Sequence, residues 1–171
     1  YLKPYIDEWQ LDNYGTAYGI INPGQPYKVV IEGHADEISW FVNYISDDGF
    51  IHVIRNGGSD FLIAPSMRVW IHLRHGGKIE GVFGWPAIHT RTDKDASVAP
   101  ALDNITIDVG AKDREEVLKM GIHVGCVVTF QDELTILNER YYTGRALDNR
   151  MGGFCIAEVA RLLKENNIQL P

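Results

Sequence analysis

The chain has 171 residues, enough for one ordinary domain or a small domain plus part of another. Its 45% hydrophobic and 23% charged residues fit a soluble globular protein, and a net charge of −7 argues against nucleic acid as the main partner. No apolar stretch approaches the ~20 residues of a membrane span. The opening Tyr1-Leu2-Lys3-Pro4-Tyr5 lacks the apolar core of a signal peptide, so neither a membrane partner nor secretion is expected. Cys126 and Cys155 lie in apolar segments and read as buried free thiols, which fits a reducing, cytoplasmic setting. A start without Met and an end at Leu170-Pro171 suggest a piece of a longer chain.

Residues 9 to 21 alternate around Asn13-Tyr14-Gly15 and predict a hairpin, followed by a turn at Asn22-Pro23-Gly24-Gln25-Pro26. Tyr27 to Ile31 is a continuous apolar run, which predicts a central strand. It breaks at Gly33 and then presents His34 and Asp36, so a buried strand is expected to deliver the imidazole to a sheet edge with both side chains on the same side. From Trp40 to about Arg140 the texture changes. A hairpin turns at Ser46-Asp47-Asp48-Gly49, and short strands follow at Met67 to Leu73, Lys78 to Phe83 and Val124 to Phe130. Glycine pairs punctuate them, and the pattern predicts a small barrel or sandwich. Lys112 to Met120 predicts a helix begun by Asp113 and stopped by Gly121. Gly152 to Asn166 carries Phe154, Ile156, Val159, Leu162 and Leu163 at helical spacing. The order is α/β, then a β-rich insert, then α/β again.

His34 and Asp36 suit a metal site, with the imidazole as ligand and the carboxylate holding the other ring N–H. A histidine bonded to a neighbouring aspartate without metal is the alternative, and the pair alone leaves both open. Asp148, in Ala146-Leu147-Asp148-Asn149-Arg150, reads either as a helix cap or as a ligand. Asn149 is an equally good cap, which frees Asp148 to bridge two ions ~3.5–4 Å apart. Glu37 and Arg150 read as ion-paired or solvated. His52, His72, His75, His89 and His123 read as surface or hydrogen-bonded histidines. P-loop, dinucleotide and serine-hydrolase motifs are absent from the sequence.

Four segments in this order resemble the tetrahedral (glutamyl/deblocking) aminopeptidases, dinuclear metallopeptidases. They are Val30 to Ile38, the Tyr44 to Phe50 hairpin, Ile107 to Lys112, and Arg145 to Arg150. The resemblance implies an α/β catalytic domain related to co-catalytic zinc exopeptidases, at residues 1–39 and 141–171. It implies a β-rich, barrel-like oligomerisation domain inserted at 40–140. It further implies two divalent ions, zinc or cobalt, with His34 and Asp148 as metal ligands and Asp36 orienting His34 in catalysis. Peptide substrates and a homo-oligomer, a dodecamer in the family, are the expected partners. Ser39 stands where the family usually has Gly, and Asn149 where a second Asp is frequent.

By the same resemblance, a Glu-Glu pair with the general base, and the remaining ligands, belong beyond Pro171. Peptide hydrolysis needs an activated water, a carboxylate to move its proton and a cation to polarise the carbonyl. The chain alone is therefore expected to be inactive. Two other classes compete: a non-enzymatic oligomerisation module, and a glycosidase, for which no flanking carboxylate pair stands out.

Overall fold

The computed structural model describes residues 1–92 and 98–168, so Leu170 and Pro171 lie outside the described residues. The strands are β1 (Glu8–Leu11), β2 (Ala17–Ile20), β3 (Ser39–Ile45), β4 (Ile51–Asn56), β5 (Arg68–His72), β6 (Lys78–Gly84) and β7 (Thr106–Asp108). Helix α1 (Arg114–Lys119), strands β8 (Val127–Phe130), β9 (Thr135–Leu137) and β10 (Tyr141–Thr143), and helix α2 (Leu147–Glu165) complete the order. Contacts divide the chain into two units. One is Ile38–Arg145; the other is Tyr1–Glu37 with the chain after Arg145.

In the first unit, six antiparallel strands close into a barrel in the order β3-β4-β7-β6-β5-β8. Closure removes the unpaired edges an open sheet would expose. The inward positions alternate: Ile51 and Val53 on β4, Val69 and Ile71 on β5 are all buried. On β3 the parity changes. Trp40 and Val42 face inward, a bulge falls between Val42 and Tyr44, and the next inward residue is Ile45. Trp40 meets Phe83 edge-on with centroids 5.3 Å apart, filling the centre with aromatic surface. Gly81 faces the same interior, where an added Cβ would lie 2.7 Å from Ile107 Cγ2, so only glycine fits. Strand β7, which closes the barrel between β4 and β6, was not foreseen; three residues are too short for a periodicity to register.

Helix α1 starts at Asp113, whose Oδ1 accepts from Glu116 N at 2.9 Å, as its position before the apolar run predicts. Val117 anchors it in the barrel core. The two-stranded pair β9–β10 also belongs to this unit, with Tyr141 and Tyr142 exposed.

The second unit holds the β1–β2 hairpin and α2. Asp12 fixes the hairpin turn: Oδ1 accepts from Tyr14 N at 2.9 Å and Thr16 N at 2.8 Å, and Oδ2 from Tyr18 OH at 3.1 Å. The Thr16 N–H bond is the main cause of the lowered Asp12 pKa. The strand expected at Tyr27 to Ile31 is not formed. Residues 27–38 have no strand assignment, and Val29, Val30 and Ile31 stay exposed. An apolar run favours a strand only where a neighbour supplies ladder hydrogen bonds, and it pairs with none of the described strands.

Candidate metal centre

His34 follows Gly33 in the irregular segment, and Asp148 lies in the first residues of α2, 114 positions later. The fold brings them together. His34 Nδ1 lies 2.8 Å from Asp36 Oδ1, and His34 Nε2 lies 3.2 Å from Asp148 Oδ1. Ionised carboxylates only accept, so a doubly protonated His34 would donate from both ring nitrogens and a neutral one from a single nitrogen. The His34 pKa is raised, chiefly by the bond to Asp36; desolvation opposes this, and the weaker bond to Asp148 adds to the rise. The group is open: the side chains are 53% exposed for His34, 88% for Asp36 and 96% for Asp148.

The start of α2 is built for this placement. Asp148 and Asn149 have non-helical backbone angles, and the peptide between them is cis. Regular helix begins after Asn149, whose Oδ1 accepts from Gly152 N at 3.0 Å. Asn149 is therefore the cap, and the Asp148 carboxylate is spared that role. Ala146 sits at φ +62°, a left-handed conformation that costs a residue with a Cβ about 1 kcal/mol or more. Glu37, expected on the face away from His34, meets Arg150 Nη2 at 3.4 Å.

The other histidines lie elsewhere. His72 Nε2 is 2.9 Å from Thr129 Oγ1, His123 Nδ1 donates to Val124 O at 2.8 Å, and His52 packs against Tyr44. His75 lines an open hollow in the barrel unit, and His89 is exposed in a short 3-10 turn. Among the described residues no group of three or more His, Cys, Asp or Glu side chains is placed to hold a metal ion. An imidazole Nε2 beside a carboxylate is a donor set that suits zinc or cobalt, and it supplies two of the three or more protein ligands such a centre takes. The Asn149 cap bond to Gly152 and the ion-paired state of Glu37 and Arg150 agree with the sequence reading, which did not identify the two charges as each other's partners. Gly152 at the helix start was the visible signal of a close approach; an added Cβ there would meet Asn149, whereas one at Gly153 would meet nothing.

Comparison with known proteins places these features in a family. The model of the M42 glutamyl aminopeptidases matches residues 15–171. The lysyl aminopeptidase of Pyrococcus furiosus is 33% identical over 172 residues, covering 99% of this chain and 49% of that protein. An aminopeptidase from the archaeon Desulfurococcus kamchatkensis superposes with a TM-score of 0.85 at 33% identity, over 94% of this chain and 44% of that one. The Pyrococcus horikoshii TET1 peptidase, which can assemble into a tetrahedron or a large octahedral shell, gives 0.82 at 27% identity, over 96% of this chain and 48% of that one. The chain spans about half the length of the curated relatives it matches. With a family match over nearly its whole length, the chain belongs to the M42 glutamyl aminopeptidases.

Proposed function

We propose that this chain is part of a metal-dependent aminopeptidase that removes N-terminal residues from peptides. The observation that carries the reading is the meeting of His34 Nε2 and Asp148 Oδ1 at 3.2 Å, with Nδ1 held by Asp36. Two divalent ions, zinc or cobalt, would polarise the scissile carbonyl and activate water when bound. His34 and Asp148 would hold them. Asp36 keeps the Nδ1 proton in place, so His34 presents the Nε2 lone pair once its second proton has left. Asp148 meets His34 through Oδ1, and its second oxygen suits a carboxylate shared between two ions. In this reading the further ligands and the proton-moving carboxylate come from the length of the relatives that this chain does not span.

Residues 1–39 and 141–171 contribute to the α/β catalytic domain in this proposal. Residues 40–140 form the inserted domain through which subunits associate into a closed homo-oligomer, a dodecamer. The barrel unit supports that role by exposing Tyr44, Ile54, Leu62, Ile63 and Val124. The shells formed by the Pyrococcus horikoshii relative support it too. Cys126 is buried, but Cys155 is exposed, against the expectation of a buried thiol; both are free, which favours a cytoplasmic setting. Among the described residues, no helix is long and apolar enough to cross a membrane.

The test is release of free N-terminal amino acids from unblocked peptides by the whole protein, with and without a chelator. Release that stops with chelator and returns with zinc or cobalt supports the proposal. Metal-independent self-association with no peptide cleavage favours the assembly module, and chelator-resistant cleavage of glycans favours a glycosidase.

A further inference from the structure

The Asn149 carboxamide does more than cap α2. Its Oδ1 accepts from Gly152 N at 3.0 Å, and a Cβ added at Gly152 would collide with that same side chain. A Cβ added at Gly33 would lie 3.1 Å from Asn149 Nδ2 and 3.2 Å from Ile156 Cδ1. The carboxamide is thus seated between the residue that precedes His34 and the first turn of the helix that follows Asp148. Both walls are glycines, and Gly33 has no left-handed φ to account for its lack of a side chain. The Glu37–Arg150 ion pair ties the same two segments at 3.4 Å.

We propose that Asn149 is a positioning residue for the metal centre: as a wedge between Gly33 and Gly152, it sets the spacing between His34 and Asp148. The inference rests on the metallopeptidase reading above. It explains why asparagine serves here where a plain cap would not. Serine caps a helix about as well as asparagine, but it is too short to fill the space against Gly33. Aspartate has the shape and the cap acceptor of asparagine.

The experiment measures zinc affinity calorimetrically in the whole metal-stripped protein and in its Asn149→Ser, Asn149→Asp and Gly33→Ala variants, with Tm recorded for each. Residues that orient metal ligands typically change affinity about 10–100-fold when replaced. Asn149→Ser is expected to bind zinc weaker by that range while its Tm stays close to that of the unsubstituted protein. Asn149→Asp should restore affinity to within about threefold, and Gly33→Ala should weaken it by pressing on the amide while leaving every ligand in place. Gly33→Ala keeps the test open should Asn149→Ser fail to fold. Unchanged affinity in Asn149→Ser or in Gly33→Ala, or equal losses in the serine and aspartate variants, overturns the positioning role while the metallopeptidase reading stands. No zinc binding by the unsubstituted protein overturns both.

Discussion

Replacing Asp36 is the sharpest perturbation of the proposed centre, because Asp36 acts on a metal only through His34. The carboxylate sits 2.8 Å from Nδ1, fixes which ring nitrogen carries the proton, and is the leading cause of the raised His34 pKa. Asparagine can still accept the Nδ1 proton but brings no charge; alanine removes both. The loss of such a partner weakens metal binding about 10–100-fold, so Asp36→Asn should lie near tenfold and Asp36→Ala nearer a hundredfold. Proton competition adds a signature. A raised pKa means that more protons must leave His34 before it ligates. Asp36→Ala lowers that pKa, so at pH about 6 the variant regains part of what it loses at pH about 9. Zinc titration at both pH values reads both effects. A loss under twofold at high pH, or the same loss at both, would refute the orienting role.

The remaining predictions concern the same histidine and the barrel. In the metal-free protein, the NMR titration of His34 should have its midpoint above the ordinary value of 6.5, and Asp36→Ala should bring it down. Because the folded-state pKa is raised, the stability it lends is fully present below the unfolded value of 6.5 and is lost as pH rises through the higher folded one. Gly81→Ala puts a methyl 2.7 Å from Ile107 Cγ2 and should destabilise the barrel by about 1–3 kcal/mol in urea unfolding. Phe83→Ala leaves a cavity beside Trp40 and should cost about 3–5 kcal/mol in the same assay. Asp113→Ala removes the cap bond to Glu116 N and should cost about 1 kcal/mol.

Features with a local cause could be read in the sequence. The hairpin turn at Asp12, the β3–β4 turn, the α1 cap at Asp113 and the amphipathic run of α2 each depend on residues close in the chain. The short strands and their glycine turns were legible as a small barrel or sandwich. The misses are non-local. Tyr27 to Ile31 has the composition of a strand but no partner among the described strands, and short β7 is defined by its neighbours β4 and β6 more than by its own pattern. At the candidate centre, the i, i+2 spacing of His34 and Asp36 gave their contact even though no strand forms there. The meeting with Asp148, across 114 positions, came from resemblance to a family rather than from any local rule. The seating of Asn149 against Gly33 depends on close packing between distant segments, which no one-dimensional pattern encodes.

His34 and Asp148 are proposed to hold catalytic metal. The most direct measurement is the metal content of the whole purified protein by mass spectrometry, with aminopeptidase activity assayed on the same sample, for the unsubstituted protein and for His34→Ala and Asp148→Asn. About two zinc or cobalt ions per chain are expected in the unsubstituted protein, fewer in each variant, with activity falling as metal is lost. Full metal content and activity in both variants, or an active protein that carries no metal, would contradict the proposal.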